Sequence, residues 1–201
     1  MYDWRRMSEE ERAAALALRK ALGYPWHGPP HAFDVEGAYH LSAACYEHAP
    51  FIGASPARMA ECQRGLLKAI EPVSVAVHAW CILPNHYHLI VEVRSVKAVV
   101  AAIGKFHGRT SFEWNGQDGA RGRQVWHRCS DRLLRSEGHF WAAMNYVHHN
   151  PVRHGYVQRW EGWPFSSARR FLEEVGRAEA ARIWRAYPLL DFGKGWDEPG
   201  M

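Results

Sequence analysis

Residues 81–93 read CILPNHYHLIVEV, and the alternating pattern at the end of this stretch decides the fold. Side chains two residues apart lie on the same face of a β-strand, so His86 and His88 are predicted to project together. Tyr87 and Leu89 would point to the opposite face and fill a core. Two imidazoles side by side on an anchored strand are a beginning for a metal site. On this pattern alone, a pair of surface or capping histidines remains the alternative.

The flanking sequence predicts strands and helices on both sides of this strand. A Ser8–Glu11 capping box opens an alanine-rich helix that reaches Leu22, and a proline-rich tether follows at 25–31. The further predicted elements are a strand at 38–46, a helix at 55–70, a strand at 73–82, a helix at 95–115, a short strand within 124–134 and a helix from Ser136 or Glu137 to Asn150. Pro151 is expected to end that last helix.

The size and composition indicate a folded protein with one main domain. The chain has 201 residues, of which 47% are apolar and ten are tryptophan. We predict an N-terminal helix and tether (1–34), a main domain (35–168) and a C-terminal helical tail (169–201), in which a charged helix carries Phe171, Leu172, Ile183 and Trp184. No apolar run approaches the ~18 residues of a membrane span, and the charged N-terminus does not resemble a secretory signal. Widely scattered cysteines indicate reduced thiols of a cytoplasmic protein: Cys45, Cys62, Cys81 and Cys129.

Positive charge is concentrated in the second half of the chain. Residues 94–170 contain thirteen Lys or Arg against five Asp or Glu, interleaved with tryptophans. This pattern suits a phosphate backbone and stacked bases, although a solvated basic face with structural tryptophans would look the same. The candidate DNA contacts are Arg94, Lys105, Arg109, Arg121, Arg123, Arg128, Arg153, Trp126 and Trp163.

The predicted helix before Pro151 carries a second candidate cluster. Tyr146 and Asn150 are four residues apart, so they lie on one helical face. If this face meets the two histidines, the amide could complete the coordination of a divalent ion, and the phenol could attack a phosphorus atom. A packed tyrosine and a helix-terminal asparagine are the alternative on spacing alone.

Three blocks of sequence resemble a known family. PNHYHL at 84–89 resembles the histidine-hydrophobic-histidine (HUH) signature of the single-tyrosine transposases. NYVHHNPVRHGYV at 145–157 resembles the catalytic helix of the REP-associated tyrosine transposase branch, and WPFSS at 163–167 resembles the segment that follows that helix. The resemblance covers roughly residues 38–167, with the blocks in the expected order.

The resemblance implies an α/β (α+β) fold of the ferredoxin-like type, with helices packed on an antiparallel sheet. It implies nicking and joining of single-stranded DNA through a 5′-phosphotyrosine, on hairpin or palindromic repeat DNA and without a nucleotide cofactor. Tyr146 would be the nucleophile, and His86, His88 and Asn150 would hold Mg²⁺ or Mn²⁺. The expected protein is cytoplasmic and of bacterial type, nucleoid-associated when bound to DNA. It would be a monomer or a homodimer, and Tyr146 could serve its own chain's histidines or a partner's.

Two other functions remain open at this point. A catalytically silent DNA-binding protein of the same fold could regulate repeated elements. A zinc-type hydrolase could use His86, His88 and a further ligand such as Glu92, although no HExxH signature supports it. The general base is also undetermined, with His139 and His149 as candidates.

Overall fold

The computed structural model describes residues 34–189 and, before them, Ser8, Glu10, Glu11, Ala14 and Ala17. The predicted capping box is confirmed: the Glu11 amide donates to Ser8 Oγ at 3.2 Å, and the Ser8 amide donates to Glu11 Oε2 at 2.6 Å. The proline-rich tether lies outside the described residues, and the proposed domain boundaries stay predictions.

A four-stranded antiparallel sheet forms the centre of the fold, with the strand order β2-β3-β1-β4. The strands are β1 (Gly37–Ala44), β2 (Ala76–Ile82), β3 (His86–Val93) and β4 (Ser130–Leu133). One helix connects β1 to β2 and another connects β3 to β4. This βαββαβ order with β1 and β3 in the middle is the ferredoxin-like arrangement, so the predicted fold class is confirmed.

Five α-helices accompany the sheet within residues 34–189, at α1 (Pro56–Ile70), α2 (Val96–Gln117), α3 (Glu137–Arg153), α4 (Ala168–Val175) and α5 (Arg177–Ala186). Single 3₁₀ turns cover 46–48, 52–54, 71–73 and 160–162. A serine hydroxyl caps the start of each of the three long helices. It accepts a hydrogen bond from the amide three residues later in the chain; these serines are Ser55, Ser95 and Ser136.

The alternation along β3 divides the interior into two cores. Tyr87 and Leu89 are buried with α1 and α2 on one face, as predicted. Ile90 is buried on the other face together with Met144 and Val147 of α3. The histidine side of the sheet is therefore covered by α3 and the helices that follow it.

Helix α3 does not end at Pro151, and this prediction was wrong. The helix continues to Arg153, and its last turn closes when the His154 amide donates to the Asn150 carbonyl at 3.1 Å. Proline removes one amide donor, and a single missing bond in the last turn is tolerated. As a result, Asn150 remains in regular helical geometry, one turn after Tyr146.

The C-terminal stretch differs from the predicted single charged helix. Gly176, at φ +80°, separates α4 from α5 because this backbone conformation suits glycine. Phe171 and Ile183 are buried in the same core as α3. The C-terminal stretch thus docks on the histidine side of the sheet.

The segment 163–167 lies along the edge of β2. The Ile82 amide donates to the Phe165 carbonyl at 2.9 Å, and the Ser167 amide donates to the Trp80 carbonyl at 3.0 Å. The Ser167 hydroxyl also lies 2.9 Å from Nε2 of His148, which is fully buried on α3. These contacts fasten α3 to the β2–β3 hairpin.

No helix among the described residues is long and apolar enough to span a membrane. All four cysteines are free thiols. Burial raises the pKa of the Cys45 thiol to about 12, so this thiol is protonated at neutral pH.

Arg58 fastens α1 to the end of α2. Its guanidinium is mostly buried and donates two hydrogen bonds to Asp118, at 2.6 and 3.1 Å. Arg123 donates to the same carboxylate at 2.6 Å. The hydrogen bonds from Arg58 and Arg123 lower the pKa of Asp118 to about 2.

We expect Asp118→Asn to lower the free energy of unfolding by about 1–2 kcal/mol at pH 7, because it leaves Arg58 without its charged partner. The folded-state pKa lies below the unfolded value of about 3.9, so this stabilisation is complete above pH 4 and is lost as the pH falls toward 2. Urea unfolding of both proteins between pH 7 and pH 3 measures the difference. It should narrow below pH 4, while Glu113→Gln, which removes an exposed pair, should change stability by less than about 0.5 kcal/mol at every pH. A constant gap for Asp118→Asn across this range would contradict the assignment.

Candidate functional site

His86 and His88 lie together on the face of β3 that α3 covers. They pair with Ala44 and Ser42 of β1, and their ring centroids are 5.0 Å apart. Both are buried, at 4% and 2% exposure. The alternation of β3 therefore brings the two imidazoles side by side, as the sequence predicted.

Asn85 orients the ring of His86. The Asn85 side-chain nitrogen donates to the His48 carbonyl at 3.1 Å, which directs its oxygen toward His86 Nδ1 at 2.8 Å. A neutral His86 ring that donates from Nδ1 to the Asn85 oxygen carries its lone pair on Nε2. That lone pair points at α3.

Asn150 provides the oxygen that faces this lone pair. Its Oδ1 lies 3.2 Å from His86 Nε2, and its side chain is 1% exposed. Its amide nitrogen is buried, and no hydrogen-bond partner for it occurs among residues 34–189. An imidazole nitrogen and an amide oxygen are both atoms that a divalent cation takes as ligands.

Two imidazole nitrogens, from His86 and His88, and the amide oxygen of Asn150 are suitable ligands for a divalent metal ion. Imidazole is a softer ligand than Mg²⁺ prefers, so this set suits Mn²⁺ better. Within the described part of the chain, no group of three or more His, Cys, Asp or Glu side chains could hold a metal ion, so the site depends on Asn150. Glu92 lies 3.2 Å from His78 instead of joining the histidine pair, which leaves the zinc-hydrolase interpretation without its third ligand.

Tyr146 meets the same histidines from α3. Its ring is 1% exposed and lies edge-on to His88, with ring centroids 5.1 Å apart. The guanidinium carbon of Arg153 lies 5.9 Å from the centre of the same ring. The structure thus brings together Tyr146, Asn150 and both histidines, while their chemical roles stay predictions.

The sequence interpretation missed His40. This residue of β1 is buried on the same sheet face, and its Nε2 lies 3.1 Å from His88 Nδ1, with the two rings stacked 5.1 Å apart. A hydrogen bond between these nitrogens fixes the His88 ring, as outer partners of metal-binding histidines do. The only sequence signal was a histidine within the small and apolar residues of β1, and the strand register was needed to pair it with His88.

His149 and His139, the two candidate general bases, have other surroundings than the two histidines of β3. His149 packs against Trp160 and Trp184, its Nδ1 lies 3.1 Å from the Asn145 carbonyl, and burial lowers its pKa. His139 lies two helical turns before Tyr146, about 10 Å along the axis. Burial lowers the pKa of His139, and Arg132 and Arg135 lower it further.

The predicted DNA contacts are dispersed over the molecule. Arg153 is exposed near Tyr146, whereas Lys105 and Arg109 are exposed on α2, across the sheet from the histidines. Arg94 is exposed just after β3, and Arg128 is exposed shortly before β4. Three further members donate structural hydrogen bonds: Arg121 to the Phe112 carbonyl, Arg123 to Asp118 and Asn115, and Trp163 to the Ile82 carbonyl.

Trp126 is a correction to the predicted set. It is buried, donates from Nε1 to Thr110 Oγ1 at 3.0 Å and stacks on His107 with centroids 4.3 Å apart. Its ring belongs to the core on the α1–α2 side, so little of its surface is available to a base.

Comparison with known proteins agrees with the sequence resemblance. An Escherichia coli (strain K12) REP-associated tyrosine transposase is 25% identical over 135 residues, covering 66% of this chain and 76% of that protein. A Haemophilus influenzae protein whose name also places it among REP-associated tyrosine transposases is 29% identical over 102 residues, covering 46% of this chain. The match spans only 58% of the Haemophilus protein's length. No protein-family model matches the chain.

A solved structure shares the fold. It is a REP-associated tyrosine transposase bound to a REP hairpin, with a TM-score of 0.54 and 19% identity, covering 69% of this chain and 81% of that one. The predicted resemblance to REP-associated tyrosine transposases is therefore confirmed by sequence relatives, and the ferredoxin-like fold by this structure as well.

We expect His40→Ala to weaken Mn²⁺ binding about tenfold, because the His88 ring loses the group that orients it. His40→Gln, which retains an acceptor at similar reach, should restore most of the affinity. Isothermal titration with MnCl₂ measures the affinity of both variants. His78→Ala is the matched control, because His78 is a histidine of β2 that pairs with Glu92 of β3. Equal affinities for His40→Ala and His78→Ala would show that His40 does not support the site.

Proposed function

We propose that this chain, a relative of the REP-associated tyrosine transposases, nicks and rejoins single-stranded DNA through a covalent 5′-phosphotyrosine on Tyr146. The observation that carries the proposal is the meeting of one phenol and one amide from α3 with the two imidazoles of β3. The phenol ring lies 5.1 Å from the His88 ring, and the amide oxygen lies 3.2 Å from His86 Nε2. Nucleophile and ion-binding groups thus share one buried space.

The proposed substrate is DNA that folds into a hairpin with single-stranded flanks. Support comes from the solved relative, which is bound to a REP hairpin, and from the basic second half of this chain. Exposed cations such as Arg94, Arg128 and Arg153 would contact phosphates and make binding sensitive to salt.

In the cleavage step, Tyr146 Oη attacks the scissile phosphorus and loses its proton. The bond from phosphorus to the 3′-oxygen breaks, and that oxygen leaves as a 3′-hydroxyl after gaining a proton. Rejoining reverses the step: a 3′-hydroxyl attacks the phosphotyrosine and displaces the phenol. Because one phosphate ester replaces another, the free energy of the broken DNA bond is retained in the phosphotyrosine. The exchange therefore needs no nucleotide cofactor.

The protein's own groups prepare this exchange. A bound Mg²⁺ or Mn²⁺ held by His86, His88 and Asn150 would supply Lewis-acid charge at a non-bridging phosphate oxygen. The guanidinium carbon of Arg153 lies 5.9 Å from the centre of the phenol ring, so this side chain would offer a cation to a phosphate oxygen beside Tyr146. Tyr146 is almost fully buried, so neighbouring side chains must move when the DNA backbone reaches it.

Tyr146→Phe should abolish the covalent product, because it removes the attacking oxygen and preserves the ring packing. The measurement is a denaturing gel of protein incubated with Mn²⁺ and labelled hairpin DNA that carries single-stranded flanks on both sides. Tyr39→Phe is the matched control, since it also loses a part-buried phenol oxygen, which donates to the Val35 carbonyl at 2.8 Å. An adduct that survives Tyr146→Phe would remove Tyr146 from this role.

The same experiment distinguishes the silent DNA-binding protein. If the unmodified chain binds hairpins but gives no adduct across a broad panel of flanking sequences, the chain binds DNA without chemistry. Binding by such a protein would be salt-sensitive and unaffected by chelators or by His86→Ala.

A further inference from the structure

Beside the candidate site lies an exposed aromatic residue that the cleavage step does not use. Tyr156 follows the end of α3, is 43% exposed and sits in a row of rings that begins at His86. We propose that Tyr156 is a stacking platform for a base of the single-stranded flank, next to the cleaved phosphate. This inference rests on the proposed function and adds the place where the DNA strand is gripped.

The row of rings runs from the buried histidines to the surface. His154 lies 5.0 Å from His86, Tyr156 lies 6.2 Å from His154, and Trp163 lies 5.3 Å from Tyr156, each measured between ring centroids. A single ring thus separates Tyr156 from His86. A strand whose phosphate reaches His86 would carry a neighbouring base to the exposed end of this row.

Two separate anchors hold the platform in place. On one side, the Tyr156 amide donates to the Pro151 carbonyl at 2.9 Å, which continues the turn that carries Asn150. On the other, Trp163 Nε1 donates to the Ile82 carbonyl at 2.7 Å, just before the loop that leads to His86. Tyr156 is therefore fixed to both halves of the candidate site, and a stacked base would be held at a set distance from the phosphate.

The chemistry of the surface suits a nucleotide better than an apolar partner. An aromatic face accepts any base by stacking, and tyrosine also carries a polar hydroxyl at its ring edge. Arg153, exposed three residues earlier, provides a cation for a phosphate of the same strand. Phe112 is more exposed, at 69%, but the Arg121 guanidinium lies over its ring at 4.3 Å. Phe112 is therefore the matched control: an exposed aromatic ring remote from the histidines.

The test uses a DNA hairpin with a single-stranded flank in which 2-aminopurine replaces one base at a time. Stacking on Tyr156 should quench the fluorescence at one or two adjacent flank positions. Tyr156→Ala should abolish that quenching and weaken binding of the flanked hairpin about tenfold. Tyr156→Phe should behave as the unmodified protein, and Phe112→Ala should leave both readouts unchanged.

Two controls, together with the Tyr146 adduct assay, separate this inference from the proposed function. Mn²⁺ affinity should be equal in all variants, which verifies that the histidine site is intact. Binding of a blunt hairpin without a flank should not change in Tyr156→Ala. If the unmodified protein forms the Tyr146 adduct but Tyr156→Ala retains quenching and affinity, the platform is refuted and the proposed function stands. If no adduct forms on any substrate, the proposed function fails independently of Tyr156.

Discussion

The antiparallel pairing of β1 with β3 is the constraint on which the remaining structure depends. Its register places Ser42 opposite His88 and Ala44 opposite His86, so small side chains face the imidazoles and leave room above them. A slip by one residue would turn both histidines into the core of α1 and α2 and bring Tyr87 and Leu89 to the face of α3. The apolar residues on the far side of β3 therefore determine where the histidines lie, since their burial allows one register.

The part of the site that follows from local periodicity was predictable. The shared face of His86 and His88 needs only the two-residue repeat of a strand, and the shared face of Tyr146 and Asn150 needs only the turn of a helix. His40 was not predictable in this way, because its contact with His88 depends on which residues of two strands become neighbours. Trp126 was misjudged for a related reason. An aromatic ring among basic residues suited stacking on DNA, but tertiary packing decides its position against Thr110 and His107.

The fold was predicted more fully than its boundaries. Serine caps and alternating apolar residues located the three long helices and the central strands to within a few residues. The errors lie where local signals compete with packing. Pro151 would end an isolated helix, yet it is buried in the last turn of α3. Gly176 divided the C-terminal helix because burying both Phe171 and Ile183 against α3 requires the chain to bend.

Segment 163–167 has a consequence that concerns the outside of the sheet. β2 is an edge strand, and an uncovered edge offers its amides and carbonyls to any passing extended chain. Here Phe165 and Ser167 already occupy the Ile82 amide and the Trp80 carbonyl. A second copy cannot lengthen the sheet by pairing at this end of β2 unless it displaces that cover. The same residues that hold α3 against the β2–β3 hairpin therefore also block pairing of another chain at this end of β2.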